Sequence, residues 1–378
     1  MSGKLYDVIV AGVGAMGSAA CWHLARRGQR VLGLDRFDIP NSMGSSHGVN
    51  RIIRLAYFEH PSYVPLLRRA YALWRETEQR FGEQLLYVTG SLDIGRPDSR
   101  LVTGSLASCR EYNLPHDVLE SREVHRRYPG YGVIDGHIAV SQPDGGFVAA
   151  ERAIVAHVSL AIAAGAEIHG REAITGYDIL GSGNVRVSTS RGSYEARRLI
   201  LATGGWIGDH VPQLKEKAVA ERQVLGWFQP KVPEHYRLGR FPVSIWLTDA
   251  GHYYQFPTWQ VPGFKIGIHH HLREYSHADA IAREPTLRDE EALRAGLRQC
   301  FPDADGPALS LRVCHYTNTP DEHFVIDTLP GLPSVVIASP CSGHGFKFAS
   351  VMGEIIADVA MERPSKFDLS FFKIDRLL

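Results

Sequence analysis

Cysteine is scarce in this chain of 378 residues: five are present (Cys21, Cys109, Cys300, Cys314 and Cys341), an odd number without CxxC spacing. That argues against a disulfide framework and a zinc site, and fits a reducing cytoplasm. Net charge is lacking too, since Lys plus Arg and Asp plus Glu each number 41. No overall field exists to attract nucleic acid or an acidic membrane. No apolar stretch approaches the roughly 20 residues that a bilayer crossing needs. The N-terminus has no charged segment leading into a long apolar one, and the closing Asp375-Arg376-Leu377-Leu378 is no peroxisomal address. Internal repeats, heptads and low-complexity tracts are missing as well. What remains is the expectation of a soluble, cytoplasmic globular protein, 44% hydrophobic and 22% charged, long enough for two substantial cores.

Glycine, by contrast, is plentiful at 37 residues, as an α/β protein with many tight strand–helix turns requires. Residues 6–11 read as a buried parallel strand, 14–27 as a helix, and 30–34 as a second strand ending at Asp35. Gly12, Gly14 and Gly17 fall at the first turn of this βαβ unit. Such glycines permit a tight turn, a close backbone approach to a pyrophosphate, and close helix–strand packing. The helix N-terminus offers free N–H groups to phosphates, and Asp35 stands where a carboxylate would accept both ribose hydroxyls of an adenosine. The unit therefore points to a dinucleotide. If the glycines served packing alone, the placement of Asp35 would be coincidence.

Further along, residues 61–82, 101–113, 147–164 and 287–300 read as helices, and 85–95, 167–169, 185–190 and 194–201 as strands. Residues 50–54 carry Arg51 and Arg54 three apart, which share one side if the segment is helical. Residues 199–205 are an apolar strand ending in Ala-Thr-Gly-Gly. From 219 to 271 aromatic and β-branched residues dominate, as in a mainly antiparallel sheet laid over a flat cofactor. Strands at 309–317 and 335–338 follow, then a glycine-rich turn and a C-terminal helix reaching about residue 361.

Four segments together carry a resemblance: the N-terminal glycine motif, Gly44-Ser-Ser-His-Gly-Val-Asn-Arg-Ile-Ile-Arg54, Cys314-x-Tyr-Thr-x-x-Pro-Asp-Glu-His-Phe324, and Ser342-Gly-His-Gly-Phe-Lys-Phe348. In register over essentially the whole chain, they resemble the family of monomeric sarcosine oxidase and N-methyltryptophan oxidase. The resemblance implies an α/β, or α+β, two-domain flavoprotein: a Rossmann-type FAD-binding domain built from 1–80, 146–218 and 321–378, and a mainly antiparallel catalytic domain from 81–145 and 219–320. It also implies FAD, bound covalently at its 8α-methyl group through Cys314. A thiolate can attack that position, and the thioether raises the flavin potential. Taken alone, Cys314 would be read as one more buried, inert cysteine.

The same resemblance assigns roles. Arg54 and Lys347 match a pair that binds the substrate carboxylate, a bidentate fork and a point charge, although either residue by itself is equally compatible with a surface ion pair. Lys265 matches a lysine placed over flavin N5 through a water, where a fixed cation stabilises developing superoxide. His269 matches a residue flanking the bound amine, and Tyr254 and Tyr316 match pocket tyrosines. Arg51 and His47 match residues beside the flavin. Gly12, Gly14, Met16, Gly17, Asp35, Ser45, Ile174, Gly204, Gly343, Gly345 and Phe346 complete the implied cofactor contacts. The run His269-His270-His271 suggests no metal, because adjacent strand residues face opposite ways.

The chain departs from the family at the loop Ser46-His47-Gly48-Val49-Asn50-Arg51, where His-His-Gly-Asp-Thr-Arg is usual. Gln255, Trp246 and Trp259 also differ or add bulk near the sheet. The implied reaction is oxidation of a secondary amino acid to an imine that water hydrolyses, with oxygen reduced to hydrogen peroxide by a monomeric enzyme. A fructosyl amino acid or pipecolate-type ring is the alternative substrate. A flavin dehydrogenase subunit is the alternative enzyme, and a non-catalytic nucleotide-binding scaffold the remaining possibility.

Overall fold

The computed structural model describes residues 4–339 and 342–378; Cys341 lies outside them. The opening unit is strand Leu5–Ala11, helix Ala15–Ala25 and strand Val31–Leu34, with the two strands parallel and Val8 opposite Val31. The helix is buried along its whole length. Its small residues allow this: the C-terminal helix Ala349–Ala360 comes so close that a Cβ on Gly353 would sit 2.5 Å from that of Ala19.

Around this unit forms an eight-stranded sheet. Its order across the sheet is Ile174–Ile179, Val185–Thr189, Ser193–Leu201, Leu5–Ala11, Val31–Leu34 and Glu167–His169. The first three strands form an antiparallel meander, and the others run parallel. Leu332–Ser339 pairs parallel with the far end of Ser193–Leu201 and carries Val325–Leu329 as an antiparallel neighbour.

A second, nine-stranded sheet is built from other strands. Its longest pairing sets Val219–Phe228 against Ala308–Asn318, with Cys314 opposite Gln223 and Tyr316 opposite Glu221. Neighbouring strands are antiparallel except Ser91–Gly95 beside Val243–Thr248. Behind it Tyr131 stacks on Phe241 at 4.5 Å, and Trp246 meets Phe301 edge-on, a core of large aromatics. Helix Leu287–Cys300 is pinned to this sheet by Asp289, which completes a capping box with Thr286. The same carboxylate accepts Arg222 at 2.7 and 2.9 Å and His271 at 2.8 Å.

One open point is decided and two expectations need correction. Residues 50–54 are not helical: Asn50–Ile53 is a strand, paired with Gly146–Ala149 in a small third sheet. Residues 147–149 belong to that strand, and helix Ala150–Ala163 starts only after them. Phe147 and Val148 favour a pleated surface, Phe147 stacks on Tyr87 at 5.0 Å, and a Cβ on Gly146 would lie 1.9 Å from the Tyr87 carbonyl oxygen. The span 85–95 is two strands, Leu86–Val88 and Ser91–Gly95, joined across Gly90 in a left-handed conformation. Strands Asp117–Glu120, Ile138–Gln142, Ile174–Ile179 and Val325–Leu329 had no sequence signal strong enough to be read. No helix among the described residues is long and apolar enough to cross a membrane.

Candidate active site

Two glycines of the first turn, Gly12 and Gly17, are sterically required. Gly12 has φ +88°, and a Cβ there would lie 2.4 Å from the Ala202 carbonyl oxygen; one on Gly17 would lie 1.7 Å from the Gly12 oxygen. The turn thus closes on the Ala-Thr-Gly-Gly strand end, and between them opens a cavity of about 560 Å³. Gly12, Gly14, Met16, Asp35, Ser45, Arg51, Ile174, Gly204, Tyr316, Gly343, Gly345 and Phe346 all line it. The Asp35 carboxylate accepts the Val13 and Phe37 amides at 2.8 and 2.9 Å, which fixes its direction. Burial raises its pKa, and those two amides oppose the rise. Ser46 Oγ accepts the Ala15 amide at 3.2 Å, satisfying one N–H at the start of the first helix that has no partner within it.

A second cavity of about 80 Å³ adjoins the first. Arg51, Tyr316, Gly343 and Phe346 line both. Arg54, Lys347, Tyr254, His269 and Cys314 line the second. A Cβ on Gly343, which has φ +76°, would fall 2.5 Å from the Tyr316 ring, so the chain passes against that ring where the cavities meet. Arg54 is 1% exposed, with Nε 3.2 Å from Asp93 Oδ2 and Nη2 3.1 Å from Glu59 Oε2. Burial alone would lower its pKa, but Asp93 and Glu59 outweigh that and raise it. Lys347 Nζ donates to the His344 carbonyl at 2.9 Å. Burial, aided by Arg54 and opposed by Glu59 and Asp93, draws its pKa down to about 7. Cys314 is a free thiol, 2% exposed. Burial raises its pKa while Arg51, Lys265 and Arg283 pull the other way.

The three adjacent histidines have separate partners. His269 approaches Tyr316 Oη at 3.4 Å, and burial with neighbouring His252 and His270 keeps its pKa well below the ordinary value. His270 bonds Glu221 at 2.6 Å; burial lowers its pKa, but Glu221 and Glu322 overcome this and raise it to about 9. His271 holds Asp289. They sit at the end of strand Phe264–Ile268, with His270 at φ +59°, so they are not the strand residues expected. No group of His, Cys, Asp and Glu able to hold a metal is found among the described residues.

Three residues matched to the flavin surroundings line neither cavity: Gly17, His47 and Lys265. His47 is buried, its carbonyl accepting Arg51 and its Nε2 without a partner. Lys265 Nζ is turned onto Gly48 and Asn50. The residues suspected of reshaping the pocket also lie elsewhere. Trp246 belongs to the aromatic core and donates to His137, Trp259 packs on Tyr87 and Phe147, and Gln255 accepts from Ser244. Sequence reading passed over Glu59, Asp93, His252 and His315. Glu59 and His252 line the second cavity, and Asp93 reaches Arg54 from a different sheet. His315 lines the large cavity with both ring nitrogens buried and unpartnered. It stands on strand Ala308–Asn318 between Cys314 and Tyr316, a place that carries no pattern of its own; only its position beside that cysteine could have drawn notice.

A cavity floored by glycines and an oriented carboxylate, opening onto a compact pocket lined by Arg51, Arg54 and Lys347, defines a nucleotide-cofactor enzyme acting on a small anionic substrate. Residues 7–359 match the FAD dependent oxidoreductase family, and the chain belongs to that family. It is 40% identical to a monomeric sarcosine oxidase of Streptomyces avermitilis, over 98% of each chain. It is 34% identical to an N-methyl-L-tryptophan oxidase of Yersinia pestis, over 98% of this chain and 99% of that one. The solved structure of NikD, an amino acid oxidase essential for nikkomycin biosynthesis, superposes with a TM-score of 0.85 at 26% identity, covering 98% and 97% of the two chains. The protein is thus an FAD-dependent oxidoreductase of α/β construction.

Proposed function

We propose that this enzyme oxidises the C–N bond of a small N-methyl or N-alkyl amino acid to an imine, with oxygen as electron acceptor and FAD attached through Cys314. The observation that carries the reading is the pairing of Arg54 and Lys347 in a pocket continuous with the nucleotide cavity. The residues fit FAD: Gly12 and Gly17 leave room only for backbone, Asp35 is aimed for a ribose, and His315 offers unpartnered polar atoms to the large cavity. Bound there, the cofactor supplies the two-electron acceptor.

The chain's own residues supply binding and orientation. Arg54 and Lys347 take the carboxylate, a charge-assisted pairing. Tyr254, Tyr316 and His269 surround the amine, and His269, held neutral by burial, adds no charge to repel it. The amine must be neutral to release electrons, and positioning does the rest. A pocket of about 80 Å³ favours a sarcosine-sized substrate over a fructosyl amino acid or an indole-bearing one.

We assign residues 1–80, 146–218 and 321–378 to the FAD-binding domain and 81–145 and 219–320 to the catalytic domain. Every strand of the eight-stranded sheet comes from the first set and every strand of the nine-stranded sheet from the second, which supports the division. A cytoplasmic monomer accords with the relatives named monomeric.

Acid precipitation of the purified protein, followed by anaerobic titration of fresh enzyme with sarcosine and N-methyltryptophan, tests the reading. Yellow colour stays in the pellet and is released to the supernatant in Cys314→Ala. Sarcosine bleaches the flavin. Wild-type colour in the supernatant would refute the thioether, and bleaching only by a fructosyl amine would refute the substrate class.

A further inference from the structure

Lys265 enters from strand Phe264–Ile268, is 2% exposed, and has its ammonium met by three oxygens: Gly48 O at 2.7 Å, Asn50 O at 2.9 Å and Asn50 Oδ1 at 2.7 Å. An ammonium has three donors and no acceptor, so every N–H is used inside the protein. Its remaining neighbours are aromatic, the Phe256 ring centroid at 4.1 Å and that of Trp227 at 5.5 Å. Phe256 and Arg51 line the second cavity in front of it.

The cradle is built at a cost. Gly48 has φ +98° and Val49 φ +77°, the latter a conformation that a β-branched side chain strongly disfavours. Glu151 holds the turn by accepting the Gly48 amide at 2.8 Å and the Val49 amide at 3.0 Å. This left-handed step brings the carbonyls of residues 48 and 50 to one point. The Asn50 side chain then adds the third acceptor, which a residue without an amide oxygen at that position would not supply in the same way.

We propose that Asn50 is a positioning residue that latches Lys265 inward and so restrains the passage of electrons to oxygen. The inference rests on the role that the family resemblance implies for Lys265, reoxidation of the reduced cofactor. In that step two electrons and two protons leave the cofactor; with oxygen they give hydrogen peroxide, and with a quinone dye they give the hydroquinone. With the latch closed, the ammonium has no N–H free to turn toward incoming oxygen. Opening it should speed transfer to oxygen and leave transfer to a dye, which needs no such cation, as it was.

The test is stopped-flow reoxidation of the substrate-reduced holoenzyme by oxygen and, separately, by a quinone dye. Asn50→Ala should react with oxygen faster on the order of tenfold, the weight of one hydrogen bond to a charged group. Asn50→Asp, a stronger acceptor, should react more slowly. Reoxidation by dye and anaerobic reduction by substrate should stay within about twofold in both. Acetic anhydride labelling of Lys265, read by peptide mass spectrometry with and without cofactor, should rise in Asn50→Ala. An unchanged or slower oxygen reaction in Asn50→Ala, or Ala and Asp shifting it the same way, overturns the latch. Lys265→Met separates the two readings. If it slows reoxidation while Asn50→Ala does nothing, only the latch falls; if it reoxidises like the wild type, both fall. Should Asn50→Ala fail to fold, Asn50→Ser carries the same comparison, since its shorter side chain withdraws the oxygen.

Discussion

Replacing Arg54 by methionine removes the guanidinium that Asp93 and Glu59 share, and the loss of stability that follows depends on pH. Breaking a buried pair by deleting one partner costs about 3–5 kcal/mol, because the other charge is left uncompensated. On a chain of this size that lowers the melting temperature by about 4–6 °C. Burial already holds the Asp93 carboxyl above its ordinary pKa despite Arg54. Glu59 is held below its own against the pull of burial, by Arg54 first and by His344 and Lys347. Without the guanidinium both rise. A carboxyl raised in the folded state weakens folding above that raised pKa, and the deficit fades as pH falls and the group protonates. The melting difference between Arg54→Met and wild type should therefore be largest near pH 8 and shrink toward pH 5, and adding Asp93→Asn should recover part of it. In kinetics, kcat/KM for an N-methyl amino acid should fall about 100- to 1000-fold, the worth of a desolvated charge pair. An N-methyl amine without a carboxylate should be oxidised as by wild type. A deficit equal at all pH values, or equal losses on both substrates, would refute the charge assignment.

Lys347, drawn down to about 7, should make binding of a simple carboxylate inhibitor pH-dependent. Affinity holds below that pH, where the ammonium persists, and weakens as pH rises through it. Absorbance titrations of the bound flavin at pH 6 and 8.5 check this, and Lys347→Met should flatten the dependence. Gly17→Ala places a methyl 1.7 Å from the Gly12 carbonyl oxygen, a clash that backbone alone must absorb. It should purify with little or no flavin, read as the ratio of visible to ultraviolet absorbance, whereas Gly181→Ala, whose Cβ meets nothing within 4 Å and whose φ is not left-handed, should keep its cofactor.

The nucleotide half was legible because its constraints are local. Gly12, Gly14, Gly17 and Asp35 lie on one strand–turn–helix–strand unit, where spacing along the chain fixes spacing in space. The catalytic pocket was legible only through family resemblance, since Arg54, Tyr254, His269, Cys314 and Lys347 come from separate segments. For 50–54 the sequence leaves the conformation open, for an instructive reason. Two arginines three apart suggest a helix face, but Gly146 and the Phe147–Tyr87 stack create a strand site that claims Asn50–Ile53. Trp246 and Trp259 carried bulk that sequence could not aim, and packing directed it away from the pocket.

By itself the sequence determined the βαβ opening, the demand for glycine at its turn, the antiparallel character of residues 219–271, and the presence of a cysteine and two cations suited to flavin and carboxylate. Only the tertiary structure decided which charges meet. It set Asp93 and Glu59 on Arg54, drew the pKa of Lys347 toward neutrality, left His315 facing the large cavity without a partner, and turned Lys265 onto Asn50. Those outcomes depend on distances between strands of different sheets, and burial there makes a neighbour about 3 Å away count for more than any residue nearby in the chain.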